Sequence, residues 1–345
     1  MFNGKNISRL MVGVMMIGGL MGAPMAEAAL DSGVEQSERA SAAQKREEGT
    51  KLFLAGDYEG AIACYDEALE INPDYALAYY NRGDAYTALR QYERAIEDYT
   101  KGLELSSDDA DAYYSRGNAY YRLAEYRRAI ADYDRAVKLE PKFGNAYYNR
   151  GNARKNLNDY RGAIDDFTKA IEIDSKFAAA YYNRGNAHGE LKEYREAISD
   201  YDKTIKLTPK MAAAYINRGL AYGHLQDYRR AVESYSKALE LVPDEADVYY
   251  FRGNTYDNLQ DYDRALEDYD KTIELNPKNA GAYLNRGVIY GNRQQYEEAI
   301  EDFTRVIELA PNYALAYRNR GECYRGLGEK EKAQADFDKA NSLSG

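Results

Sequence analysis

Tryptophan is absent from these 345 residues, and there are only two cysteines and two histidines. His188 and His224 do not stand at metal-ligand spacing, no Cys-x-x-Cys occurs, and no glycine-rich loop has the form that cradles a phosphate. Neither a metal nor a cofactor is therefore expected. A basic excess is missing too, because the formal charge is −11 at pH 7. That argues against nucleic acid as a general partner, since gripping phosphates needs a basic footprint. Long apolar runs are confined to one stretch, Leu10 to Pro24, flanked by Lys5 and Arg9 and followed by Ala26-Glu27-Ala28. This is the pattern of a secretory signal peptide over residues 1–28, short for a membrane-spanning helix, with retention as an uncleaved anchor the alternative. The mature chain is then expected to have no integral membrane segment, to be exported, and to reside in the periplasm or cell envelope or be secreted. Residues 29–41, rich in alanine, serine and glutamate, read as a short linker.

What the chain has in abundance is tyrosine, 36 residues, and a strict beat of glycine. Gly49, Gly83, Gly117, Gly151, Gly185, Gly219, Gly253, Gly287 and Gly321 recur every 34 residues, a period that signals a stacked repeat array. With glycine as the eighth position, nine repeats span 42–75, 76–109, 110–143, 144–177, 178–211, 212–245, 246–279, 280–313 and 314–345. The fourth position is tyrosine from Tyr79 to Tyr317, the seventeenth tyrosine from Tyr58 to Tyr296, the twentieth alanine throughout, and the twenty-fourth always aromatic. Three-and-four spacing of Tyr79, Gly83 and Tyr86, then of Ala95, Tyr99 and Leu103, predicts two amphipathic helices per repeat. Between them Asp57, Asp159, Asp227 and Asp261 are placed to cap the second helix. Apart from Pro24, every proline falls at the phase where that helix must end.

A mid-helix glycine costs roughly 0.5–1 kcal/mol relative to alanine, so its repetition implies close packing. Gly83 and Ala95 are expected to leave room for Tyr79 and Tyr99. A seventh-position arginine runs in parallel with an aspartate sixteen residues on, from Arg82 and Asp98 to Arg320 and Asp336. Repeat 1 lacks both, and repeat 6 pairs Arg218 with Ser234. A register-fixing ion pair is the expected role. Polar substitutions at the two ends, Lys45 to Glu48 and Lys330, Gln334 and Asn341, read as end caps of a nine-repeat array. Cys64 and Cys323 lie in the first and last repeats, too far apart for the ~7 Å Cα separation a disulfide needs. Cys323 reads as a buried small hydrophobe and His188 as a packed ring.

These motifs resemble the tetratricopeptide repeat family, over about residues 42 to 345. The resemblance implies an all-α, right-handed α-solenoid of nine helix-turn-helix repeats, non-catalytic, whose first helices line a concave groove. It places positions two, five, six, nine, twelve and thirteen on that groove. Position six carries Asn81, Asn149, Asn183, Asn217, Asn285 and Asn319; position nine carries Asn118, Asn152, Asn186 and Asn254; position five carries Tyr80, Tyr114, Tyr148, Tyr182 and Tyr250. Asparagine is a poor helix former, so its recurrence wants a reason. One is a carboxamide ladder that holds an extended peptide backbone, each amide offering an acceptor and two donors. Another is bonding between neighbouring helices. The partner expected is a protein or peptide; a glycan packed on the tyrosines is the alternative. The lysine- and arginine-based clamp for a terminal carboxylate is not recognisable, because position five is Tyr, Ile or Leu except at Arg46 and Arg318.

Overall fold

The computed structural model describes residues 25–344, so most of the expected leader, residues 1–24, lies outside the described residues. Eighteen helices and no strand occur among the described residues. The first helices of the nine repeats are α1 (Met25–Leu54), α3 (Ala76–Ala88), α5 (Ala110–Arg122), α7 (Gly144–Asn156), α9 (Ala178–Glu190), α11 (Ala212–His224), α13 (Ala246–Asn258), α15 (Ala280–Asn292) and α17 (Ala314–Gly326). The second helices are α2 (Tyr58–Ile71), α4 (Tyr92–Leu105), α6 (Tyr126–Leu139), α8 (Tyr160–Ile173), α10 (Tyr194–Leu207), α12 (Tyr228–Leu241), α14 (Tyr262–Leu275), α16 (Tyr296–Leu309) and α18 (Lys330–Ser344). Residues 29–41, expected as a linker, are helical and continuous with α1. They contain no proline, and most are residues a helix tolerates well.

The chain forms two compact bodies, one ending at Leu123 and the other beginning at Ala124. In the first, each of α1 to α4 packs on the next helix in order; in the second, the same holds from α6 to α18. First helices of successive repeats also touch within a body, α1 with α3, α7 with α9, and α11 with α13 among them. In each body they make one continuous face of first helices.

The turn inside each repeat is built the same way. Position fifteen is left-handed in all nine repeats, at Gly56 and Gly328 and at seven non-glycine residues with φ between 59° and 61°. Around it the two hydrogen bonds of a Schellman motif close the first helix, as in Gln226 N to Gly223 O (2.9 Å) and Asp227 N to Tyr222 O (2.9 Å). The second helix then starts under a cap. Asp57, Asp159, Asp227 and Asp261 accept from the backbone N–H of Gly60, Gly162, Arg230 and Arg264, as their spacing predicts. A left-handed L-residue costs about 1–2 kcal/mol, partly offset because glycine loses more entropy on folding. Gln226→Gly should therefore raise stability by about 0.5–1 kcal/mol, and Gly56→Ala should lower it by a similar amount. Paired urea titrations read both signs.

The core is made of small residues facing rings. The twentieth-position alanines from Ala61 to Ala299 have no exposed surface. A Cβ added at Gly83, Gly219 or Gly253 would lie 2.9, 2.6 or 2.9 Å from the ring of Tyr99, Tyr235 or Tyr269. The ring nearest each of these glycines is thus the twenty-fourth-position aromatic. Tyr79, expected beside it, packs half-buried on the cluster of Ala68, Leu69 and Ala78.

At the array's ends, Lys330, Gln334 and Asn341 are exposed on α18, and Lys45 pairs with Glu67 at 2.6 Å on the first hairpin. Cys323 is buried and Cys64 half-buried, both as free thiols. Burial pushes the Cys323 thiol up to about 11, which keeps it protonated and inert.

Candidate partner-binding face

Two polar systems run along the first helices. The deeper one belongs to the seventh-position arginines. Arg252 donates from Nε and Nη2 to the two oxygens of Asp268 at 2.8 and 2.8 Å, and Arg82, Arg184, Arg286 and Arg320 grip their own aspartates in the same two-pronged way. The third prong, Nη1, reaches sixteen residues back into the preceding repeat. Its acceptors alternate between carboxylate and hydroxyl: Asp66, Thr100, Asp134, Thr168, Asp202, Ser236, Asp270 and Thr304. Each guanidinium also lies over the fourth-position tyrosine of its own helix, at 5.2 Å for Arg150–Tyr147 and 5.5 Å for Arg82–Tyr79. The arginines are fully engaged within the fold. Burial pushes the Asp98, Asp166, Asp268 and Asp302 carboxyls above their ordinary range while the guanidinium pulls them down. A buried pair of this kind is weak evidence for added stability, because desolvation of both charges offsets their attraction.

The shallower system holds the asparagines, all of them half-buried. Position six of one repeat bonds to position nine, or five, of the repeat before it. Asn217 Nδ2 donates to Asn186 Oδ1 at 2.9 Å and to the Tyr182 hydroxyl at 3.1 Å. Asn285 Nδ2 donates to Asn254 Oδ1 at 2.8 Å, and Asn81 Nδ2 to Thr50 Oγ1 at 3.3 Å. From beneath, the twenty-fourth-position tyrosines add a second donor: Tyr201 to Asn186 Oδ1 at 2.9 Å and Tyr269 to Asn254 Oδ1 at 2.8 Å. Burial pushes both phenols above their usual range, so they stay protonated donors. With two hydrogen bonds accepted by its oxygen, each position-nine carboxamide is locked with its NH2 turned away from them. Among the described residues nothing accepts from Asn186 Nδ2 or Asn254 Nδ2. Each pair, Asn186 with Asn217 and Asn254 with Asn285, is a couple with an open donor edge.

Between these couples the track changes character. Repeats 6 and 7 put Leu220 and Phe251 where the asparagines stand, both packed on the cluster around Tyr235. Tyr235 is 2% exposed, and its hydroxyl has no partner among the described residues. Asn183 of repeat 5 donates to the Tyr148 hydroxyl of repeat 4 at 2.8 Å and accepts from Lys155 Nζ, also of repeat 4, at 3.0 Å. Asn319 lines a shallow cavity of about 430 Å³ with Val288, Gly291, Tyr296 and Cys323. Asn149 and Asn118 are engaged within the fold, and Asn152 lies one helical turn before Lys155.

Of the position-five tyrosines one is buried and four are half-buried. Tyr80 is buried and donates to Ser106 O at 2.6 Å, because Gly102 on α4 leaves room beneath its ring. Tyr148 packs against Phe167 and Phe177, Tyr182 against Tyr201, and Tyr250 against Tyr269, while Tyr114 is half-buried. His188 is a partly buried ring whose Nδ1 bonds Glu193 Oε2 at 2.8 Å, and His224 stacks on Tyr194 with centroids 4.5 Å apart. Among the described residues no group of three His, Cys, Asp or Glu could hold a metal, and no helix is long and apolar enough to cross a membrane.

Family models for the tetratricopeptide repeat match residues 110–143, 144–177, 178–211, 212–245, 246–279, 280–313 and 314–345, and one for the TPR repeat matches 49–89 and 83–123. The chain belongs to the tetratricopeptide repeat family. Members of this family bind protein or peptide partners, and the fold is that of an interaction scaffold. Among solved structures, this tetratricopeptide array is similar to YrrB, described as a TPR protein with an unusual peptide-binding site. The identity is 26%, over 54% of this chain and 96% of YrrB, with a TM-score of 0.50. The C-terminal part of a TPR repeat-containing protein from Cytophaga hutchinsonii shares the fold, at 22% identity over 70% of this chain and 98% of its own, TM-score 0.63. MamA from Desulfovibrio magneticus matches at 25% identity over 49% and 96%, TM-score 0.47. No curated protein matches the chain.

Proposed function

We propose that this tetratricopeptide array is a non-catalytic scaffold of the bacterial cell envelope that binds extended peptide segments of a partner protein along its first-helix face. The observation that carries this reading is the wiring of the couples. An open N–H edge on Asn186 and Asn254 suits the carbonyl of a peptide unit, whatever side chain follows. Similarity to YrrB, itself described as having a peptide-binding site, supports the same reading. The glycan alternative is weaker because the tyrosine rings it would use are packed. The signal-like leader with Lys5, Arg9 and the apolar stretch after it supports export.

An isosteric change tests the couples. Asn186→Asp with Asn254→Asp keeps both acceptors for Tyr201, Tyr269, Asn217 and Asn285, yet turns each outward donor into an acceptor. Binding of array peptides should weaken by about 10- to 100-fold, the worth of two lost hydrogen bonds plus carbonyl repulsion. The thermal midpoint should barely move. Undiminished peptide binding by this variant, or selective binding on a glycan array, would sink the reading.

A further inference from the structure

Lys155 departs from the repeat. Position twelve elsewhere holds Phe53, Thr87, Tyr121, Gly189, Gly223, Asp257, Gly291 or Arg325, so a lysine there answers no periodic structural need. Its side chain is half-buried on α7, on the same face as Asn152 three residues before it. Its one hydrogen bond among the described residues goes to the neutral oxygen of Asn183, 3.0 Å from Nζ. Asn183 is held in that orientation because its Nδ2 donates to Tyr148, whose ring is packed between Phe167 and Phe177.

The adjacent cation shows what a satisfied charge looks like here. Arg154 Nη1 sits 2.9 Å from Asp166 Oδ2 and also reaches Gly162 O. Arg150, Arg184, Arg252 and Arg286 each have a carboxylate in contact. Lys155 has none within ion-pair distance among the described residues, although the chain carries an acidic excess. Burial pushes its ammonium below the usual lysine range, with Glu190 acting only from a distance. A desolvated ammonium with one of three donors used is a site prepared for an anion that the chain itself does not supply.

We propose that Lys155 is a specificity residue that receives the side-chain carboxylate of an aspartate or glutamate in the bound peptide. This rests on the peptide-binding reading and adds a chemical preference to it. The carboxylate completes the charge of Lys155, with the carboxamides of Asn152 and Asn183 on the same track. One ammonium matches a single carboxylate. The couples at Asn186 with Asn217 and Asn254 with Asn285 then hold backbone further along the same body.

The test uses the full chain and an array of C-terminally amidated twelve-residue peptides, in which Asp or Glu at each position is paired with Asn or Gln, plus free-acid copies. Bound peptides should require an acidic residue at one position. Lys155→Met should weaken the acidic member about 10- to 100-fold, leave its amide twin within about twofold, and unfold no earlier than the native chain. Lys155→Glu should shift the preference to Lys or Arg at that position. Peptides retained with no acidic preference, or lost equally in both forms on Lys155→Met, overturn this inference and leave the peptide reading standing. Retention that depends on the free C-terminal carboxylate overturns it as well. An array on which no peptide binds the native chain sinks both.

Discussion

Replacing Arg252 by methionine should lower the stability of the C-terminal body by about 3–5 kcal/mol, while Arg252→Met with Asp268→Leu should recover most of that loss. The single change leaves the Asp268 carboxylate, 4% exposed, with no counter-charge in a place where burial already pushes its proton affinity up. It also strips Ser236 Oγ of its donor across the repeat boundary, 3.0 Å away. The double change removes the buried charge along with its partner, and similar-volume apolar replacements of such pairs are often neutral or better. Repeat 6 already shows a milder arrangement, since Arg218 meets Ser234 Oγ at 3.1 Å and Asp202 at 2.6 Å. Because neighbouring repeats couple one to the next, hydrogen exchange should place the opening at α13 and α14 first. A double variant no more stable than the single one, by urea unfolding, would show that the pair contributes net stability and not register.

The second large effect sits where glycine meets the ring. Tyr269→Ala should cost about 3–5 kcal/mol, since it empties a space that the facing helix cannot refill from Gly253. The tyrosine has no exposed surface and also fixes Asn254 through its hydroxyl. Gly253→Ala alone should destabilise by about 1–2 kcal/mol, because its Cβ would press on the ring at 2.9 Å, less the gain in helix propensity. In the Tyr269→Ala background the same Gly253→Ala should become neutral or stabilising. That reversal is the signature of direct coupling. Additive effects of the two changes, by thermal or urea melts, would contradict the packing described.

Much of the fold was legible because each rule acts within one repeat. Helix phases, the Asp57-type caps and the Arg–Asp spacing of sixteen recur nine, four and seven times in the text of the chain, so periodicity separates them from noise. The left-handed turn was hidden, since only Gly56 and Gly328 advertise it and seven other residues adopt it under the pull of the Schellman bonds. The second acceptor of each arginine was hidden as well. It belongs to the preceding repeat and switches between aspartate and hydroxyl, so no single residue type marks it. Asparagines at positions six and nine were visible as a track, but not which edge of each amide was committed.

The sequence by itself determined the repeat, its two helices, its turns and the aromatic, glycine and alanine positions that must pack, because all of these follow from local spacing within 34 residues. Only the tertiary structure decided what the polar residues do. Gly102, twenty-two residues from Tyr80, lets that ring sink into the core, whereas packing leaves Tyr148, Tyr182 and Tyr250 half-buried beside the track. A tyrosine hydroxyl fifteen residues away and a carboxamide thirty-one residues away together turn Asn186 and Asn254 outward. Direction of a hydrogen bond depends on both partners in space, and one-dimensional spacing carries only the residue types. Lys155 makes the same point: its lack of an ion-pair partner appears only once its neighbours are in place around it.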